Sequence, residues 1–345
     1  MKIINKSKNE IINDEKINKS FLHARLNDLG INCKIYNGNF FSDSFNYFPI
    51  TEKFETFKDL YNWQVNNSVN HFFSEKLSKY IIENKNKFRV INNTYLLGSS
   101  PGNNYYSNLI HFLPRVFFND NNEINLTVHR NLSNKFRNFI RKIFKERQKK
   151  VNFVYLDDNF YLFKNSMVPQ FLDIKNSVKV LNYFINRNIN KNNKTLKIYI
   201  SRQNSKYRNI VNEDDLIKFL KGKGYRILDL NHFTIRNQIE MFAKAEVVIS
   251  PTGSGLANII FCKPGTKVIE IAPEYKKTYE SNLSIRYENL SKIAGLDHVK
   301  IKADSIKTKK HSEIAEKYIN KKILEESSYY SDLIVKINEF KELLN

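Results

Sequence analysis

The pattern of apolar and polar positions is clearest between Leu196 and Pro273. Four short runs rich in β-branched residues, Leu196–Ile200, Tyr225–Asp229, Val247–Ser250 and Val268–Ile271, read as strands. Between them the apolar positions change to helical spacing: Leu216, Phe219 and Leu220 within Glu213–Lys221, then Ile235, Ile239 and Phe242 within Ile235–Ala245. Strand, helix, strand, helix, strand, short helix, strand predicts an α/β fold with a parallel sheet and crossovers.

The first half is less regular. Asn92–Gly102 reads as a strand entering a Gly/Pro/Ser loop, and Asn103–Pro114 as a helix ended by Pro114. Its apolar face carries Tyr106, Leu109, Ile110 and Leu113, and its polar side Asn104, Ser107, Asn108, His111 and Arg115. Ile124–Val128 and Val151–Tyr155 read as strands around a basic helix, Asn134–Lys145, that buries Phe136, Phe139, Ile140 and Ile143. Phe57–Asn84 has helical spacing and includes Trp63, read as core packing ahead of packing on the acceptor side. Met1–Lys19 reads as loosely structured, Asn182–Lys194 as a linker, and Ser312–Leu344 as helical and amphipathic.

Thr252-Gly-Ser-Gly255 falls where a predicted strand turns into a helix. In an open parallel sheet, ligands sit outside the carboxyl ends of the strands. Glycines there allow close approach of the backbone, and a helix start offers unpaired N–H groups and about half a positive charge, which suits a phosphate. By itself the pattern more often marks a tight turn with no ligand.

Composition adds size and charge to this picture. A chain of 345 residues, 41% hydrophobic and 13% aromatic, has room for two domains with separate cores and is not that of a disordered protein. Lys and Arg number 56 against 35 Asp and Glu, a net charge of +21. That balance points to an anionic partner, with Arg137–Lys150 the densest basic block. Part of the charge also follows from a composition rich in Asn, Lys and Ile, the residues of A/T-rich codons. No nucleic-acid reading motif accompanies it, so nucleic acid is not expected as a partner. Two cysteines, Cys33 and Cys262, make neither a disulfide framework nor a zinc site. No apolar run reaches the roughly 18 residues of a membrane span, and the first residues lead into polar sequence. The expectation is a cytoplasmic protein, with the inner membrane face as a surface its charge would suit.

Several motifs recur together in one order: Tyr199-Ile-Ser-Arg202, Asn212-Glu-Asp-Asp215, Gln238–Ala245, Val247–Asn258 and Lys263–Ile271. In order and spacing they resemble the C-terminal half of the family 61 glycosyltransferases, which include capsule and lipopolysaccharide enzymes. Upstream, Asn104-Tyr-Tyr and Leu113-Pro-Arg115 match a second family motif, whose members read Asn-Tyr-Tyr-His-Trp, then a carboxylate, then Leu-Pro-Arg. Here Ser107, Asn108 and His111 stand in place of the His, Trp and carboxylate, and Thr252-Gly-Ser-Gly255 in place of His-Gly-Ala-Gly.

The resemblance implies a GT-B architecture of two Rossmann-like domains facing a cleft. Residues 1–190 would take the acceptor, 191–310 the nucleotide sugar, and 311–345 would form a C-terminal helix returning towards the first domain. The implied activity is inverting transfer of a hexosyl or pentosyl group from a nucleotide diphosphate sugar, UDP-linked, to a glycan or lipid-linked glycan in bacterial surface polysaccharide synthesis. No metal or other cofactor is implied, since GT-B enzymes hold the diphosphate with amides and cations; this sets aside a metal at Asp157-Asp158. Donor-binding residues would be Arg202, Glu213, Thr252, Gly253, Ser254, Gly255, Leu256 and Asn258, with Glu213 either supporting Arg202 or touching the nucleotide. Asn104, Ser107, Asn108 and Arg115 would line the acceptor side. An inverting transfer needs a base at the acceptor hydroxyl. On that helix side only His111, with an ordinary imidazole pKa of about 6.5, can take a proton near neutral pH. The alternative is that His111 only hydrogen-bonds the acceptor or the Gly98–Gly102 loop and a carboxylate elsewhere in the cleft is the base. The departures at 107, 108, 111 and 252 also fit a different class, a glycan-binding or scaffold subunit without activity.

Overall fold

The computed structural model describes residues 26, 29–31, 33–46, 49–51, 83–119, 121–186, 196–275, 281–308 and 328–344. Met1–Lys19 and Trp63 lie outside them, as does the helix expected over Phe57–Asn84 except for its last two residues. The chain divides into two compact units, Met1–Phe184 and Ile185–Asn345, close to the expected boundary at 190.

The first unit is built on one mixed sheet. Its strands are β1 (Ile35–Asp43), β2 (Ile50–Thr51), β3 (Arg89–Asn92), β4 (Tyr95–Leu96), β5 (Glu123–His129), β6 (Lys150–Leu156) and β7 (Phe160–Pro169), in the order β2-β1-β7-β4-β5-β6 with β3 also on β7. β4, β5 and β6 run parallel, as expected. Strands β1, β2, β3 and β7 were not foreseen; β7 pairs with β1 antiparallel and with β3 and β4 parallel. Asn92 pairs with Lys164, and just beyond this pair Asn93 (φ 54°) and Asn165 (φ 47°) both turn left-handed, bending neighbouring chains at one level. Asparagine tolerates that region better than other residues bearing a Cβ. Helix α1 (Asn134–Glu146), capped by Ser133, buries Phe136, Phe139, Ile140 and Ile143 as predicted. Its cationic side leans on the edge strand, Arg141 over Phe153 at 4.9 Å and Arg137 over Tyr155 at 5.2 Å. A second helix, α2 (Ile174–Leu181), is capped by Asp173.

The helix at 103–117 departs from expectation. It opens as an α-turn at Tyr105–Ser107, widens into a π-helical turn at Asn108–Phe112, and tightens into a 3-10 turn at Leu113–Phe117. Pro114 does not end it; proline sits in the first turn of the 3-10 segment, where its missing N–H has no partner to lose. The i→i+5 turn also shifts the angular spacing, so the supposed polar face is not a solvent face. Asn108, His111 and Arg115 are all buried. Arg115 is fully enclosed: its guanidinium donates to the carbonyls of Leu97 (2.7 Å), Pro169 (2.9 Å) and Leu96 (3.4 Å) and stacks 3.9 Å above the ring of Phe171. It joins β4, β7 and the helix from inside, in place of the acceptor contact expected of it.

The second unit matches its pattern closely. β8 (Leu196–Ile200), β9 (Arg226–Leu228), β10 (Ala245–Pro251), β11 (Lys267–Pro273) and β12 (Asp297–Ile306) are parallel in the order β9-β8-β10-β11-β12, with β13 (Asp332–Ile334) antiparallel at the edge. The connecting helices are α3 (Glu213–Gly222), α4 (Ile235–Ala243), an eight-residue 3-10 helix Ser254–Phe261, and α5 (Arg286–Ala294). From β8 the chain steps outward to β9, then returns past β8 to β10. Crossovers of the usual right hand would put α3 on one face of the sheet and α4 on the other. Leu216 and Leu220 of α3 meet Tyr199, Ile249, Ile269 and Ile271 in one core. Phe340 of α6 (Ile337–Leu344) enters this same core. The described part of the tail therefore builds onto the second unit, with strand β13 interrupting the helix expected over Ser312–Leu344. The expected linker likewise starts as a π-helical turn, Asn182–Asn186, with Ile185 and Asn186 buried and Asn186 donating to the Phe261 carbonyl at 3.3 Å.

Arg115→Lys keeps the charge but loses the planar fork that reaches three carbonyls. It should lower stability by roughly 2–3 kcal/mol, read from the urea unfolding midpoint. An unchanged midpoint would show that the fork is dispensable.

Candidate functional site

The strand order of the second unit reverses direction between β8 and β10, and the carboxyl ends at such a reversal leave a crevice where ligands bind. Arg202 follows β8 there, and Thr252–Gly255 follows β10. The half-buried Arg202 is braced by its own loop, Nη2 donating to the Tyr207 carbonyl (2.8 Å) and Nε to that of Arg208 (3.3 Å). Nη1 is turned to the glycine loop. A Cβ on Gly253 would collide with Nη1 and stand 3.0 Å from Cζ. Gly253 has φ 175°, an extended backbone open to any residue, so glycine is needed here for room and not for conformation. The loop is tied to the next strand by the Thr252 N–H, which donates to the Ile271 carbonyl at 2.7 Å.

Glu213 stands behind this pair at the start of α3. It is 2% exposed, and Oε1 accepts from the Tyr199 hydroxyl at 2.6 Å and from the Arg202 backbone N–H at 3.1 Å. Of its two expected roles the structure supports the first, through the arginine's backbone and not its guanidinium. Burial, and then the Glu213 carboxylate, hold the Tyr199 phenol well above its usual range, so it stays a donor. Leu256 and Asn258, expected to touch the donor, are fully buried. Asn258 Nδ2 donates to Gln238 Oε1 and to the Gly255 carbonyl, both at 3.0 Å, clipping the loop to α4 from behind. Thr252 and Gly253 are buried, which leaves Arg202, Ser254 and Gly255 as the half-exposed members of the expected donor set.

Sequence reasoning missed Tyr199, Gln238 and Asp229. Asp229 directly follows β9 and is level with Ser201, whose N–H donates to the Leu228 carbonyl at 2.9 Å. Its Oδ2 accepts from Asn204 Nδ2 (3.0 Å) and its Oδ1 from the Asn231 N–H (2.9 Å). Burial alone would raise this carboxyl, but these hydrogen bonds and the nearby His232 outweigh it and lower its pKa. An acidic residue at the end of a predicted strand was the available signal.

In the first unit the loop after β4 is held by asparagines. Gly98 (φ 72°) faces Phe45 and Asn46 so closely that a Cβ would lie 2.7 Å from that of Asn46. Asn108 accepts from the Ser100 N–H (2.8 Å) and donates to Asn103 (3.0 Å), so its amide shapes the loop from within. Asn104 caps the following turn, accepting from the Ser107 N–H at 3.1 Å. His111 lies in the π-helical turn, 7% exposed, edge-on to the Tyr106 ring at 5.7 Å. Asn131 also anchors the loop, accepting from the Ser99 hydroxyl (3.0 Å) and donating to the Ser100 carbonyl (3.4 Å). The overlooked His129 accepts the Asn131 N–H on Nδ1 at 3.1 Å, with its Nε2 3.1 Å from Asp158.

The family model for glycosyltransferase 61 matches residues 56–269, well over half of the chain. The chain belongs to glycosyltransferase family 61. A search of curated proteins finds no match. The family 61 match ends within β11 and takes in Arg202, the glycine loop and the helix carrying His111. As a family 61 glycosyltransferase the protein acts on a sugar donor and a glycan acceptor. Asp157 and Asp158 serve other partners, Asp157 pairing with Tyr161 and with Arg89 (3.6 Å) and Asp158 with His129. Among the described residues no group of three or more His, Cys, Asp or Glu is arranged to hold a metal ion, and no helix is long and apolar enough to cross a membrane.

Gly253→Ala in this family 61 chain should push the guanidinium off two carbonyls or the loop off β11. Nucleotide affinity should fall about tenfold, with a stability cost of about 1–3 kcal/mol. Unaltered affinity by calorimetry would mean that the arginine and the loop do not act together.

Proposed function

We propose that the protein is an inverting, metal-independent glycosyltransferase of GT-B architecture, transferring a sugar from a UDP-linked or related nucleotide diphosphate donor to a glycan in bacterial surface polysaccharide synthesis. The observation that carries the donor half is the guanidinium of Arg202 wedged against Gly253 at the reversal between β8 and β10. A cation fixed beside a glycine loop and a helix start suits a diphosphate, and would stabilise the charge that gathers on it as the glycosidic bond to the sugar breaks. The first unit takes the acceptor in this reading. Asn104 and Ser107 remain acceptor-side residues, while Asn108 and Arg115 keep structural tasks.

His111 is proposed as the base that draws the proton from the attacking hydroxyl. Its position in a π-helical turn supports this, because such turns recur at functional sites. The basic outer side of α1 suits an anionic surface, which fits a cytoplasmic protein resting on the inner membrane face while it meets a lipid-linked glycan.

Arg202→Ala should weaken nucleotide binding by about 1.5–3 kcal/mol, roughly 10- to 100-fold; a folded variant that binds normally would remove Arg202 from the donor site. His111→Ala should cut turnover by roughly 10² to 10⁴ with donor affinity nearly intact. Near-normal turnover at saturating acceptor would rule out the base role.

A further inference from the structure

Asp229 is a carboxylate set among groups expected to hold a diphosphate. It follows β9, the strand beside β8, and stands level with Ser201, one residue before Arg202. Its neighbour Leu230 fills the space in front of Gly255, where an added Cβ would meet Leu230 Cδ1 at 2.8 Å. Its hydrogen-bond partner Asn204 belongs to the turn begun by Arg202, closed by the Ser205 N–H donating to the Arg202 carbonyl at 2.8 Å. The carboxylate is therefore tied to the turn after β8, and the next residue, Leu230, packs against the glycine loop after β10. Its side chain is 22% exposed, and the nearby His232 Nε2 lies 3.5 Å away.

An ionised carboxylate only accepts hydrogen bonds and repels phosphate oxygens. Asp229 accepts from the Asn231 N–H on Oδ1 and from Asn204 Nδ2 on Oδ2, the Asn231 side chain bonds it as well, and His232 stands beside Oδ2. A carboxylate has about four acceptor positions, so these leave room for a further donor. What it can take beside a bound diphosphate is a neutral donor, and a vicinal diol supplies O–H groups at the right spacing for one carboxylate. In a nucleoside diphosphate the phosphates are joined to the ribose through its 5′ oxygen, and the 2′,3′-diol lies on the opposite edge of the same ring. An acidic residue after the second strand of a doubly wound sheet takes the ribose hydroxyl in dinucleotide sites, and β9 occupies that place relative to β8.

We propose that Asp229 binds the ribose 2′,3′-diol of the nucleotide and so selects ribonucleotides over deoxyribonucleotides. This rests on the donor site proposed above. The test is calorimetric titration of the full chain with UDP, GDP, CDP and ADP and with their 2′-deoxy counterparts. For whichever nucleotide binds, the wild type should prefer the ribo form by about 10- to 100-fold, the worth of a hydrogen bond to a charged group. Asp229→Asn and Asp229→Ala should lose most of that preference while changing deoxynucleotide affinity less than about threefold. Equal ribo and deoxy affinity in the wild type would overturn the proposal. So would a uniform loss in the variants, which would make Asp229 a loop cap only. Failure of every nucleotide to bind would instead sink the donor-site reading itself, and this inference with it.

Discussion

The carboxylate of Glu213, buried at the first turn of α3, accepts at once from the Tyr199 hydroxyl and the Arg202 backbone N–H. A buried charge is tolerable only when it is hydrogen-bonded, and this one spends its bonds on the end of β8. The direction in which the chain leaves the sheet is thereby fixed. Arg202 then reaches the carbonyls of Tyr207 and Arg208, and its third nitrogen comes against a loop that has no Cβ at Gly253. The candidate donor site is the outer surface of this arrangement.

The residues behind the loop share that logic. Asn258, Gln238 and Glu213 are buried polar groups whose hydrogen bonds end on backbone, on one another or, for Glu213, on the Tyr199 hydroxyl. Those bonds fix the loop geometry from behind. A site built this way is preorganised, since the loops need not find their shape at the moment of binding. Arg115 does comparable work in the first unit, where an always-charged fork stands inside the core and holds the carbonyls of Leu96, Leu97 and Pro169.

The elements of the second unit were legible because a parallel sheet buried on both faces writes itself as short β-branched runs, and its helices as apolar residues at spacings of three and four. In the first unit β7, Phe160–Pro169, went unread. Its burial alternates only in part, it bends at Asn165, and its role depends on partners far away in sequence, β1 and β4. The helix at 105–117 was misread for a related reason: periodicity assumes one turn type, and this segment uses three.

By itself the sequence determined the strand–helix order of Leu196–Pro273, the glycine loop and, through matching motifs, the family. Those properties are local, set by side-chain branching, spacing and the lack of a Cβ. Only the tertiary structure decided which polar residues face outward. Asn108, Arg115, Glu213 and Asn258 look in sequence like ligands, yet each is buried on a backbone partner. Asp229 looked like the end of a strand, and packing bonded it to Asn204 in the turn begun by Arg202 and set its neighbour Leu230 against Gly255. A side chain's chemistry is fixed by its type, but the groups that satisfy it are chosen by which strands become neighbours, and that choice is long-range.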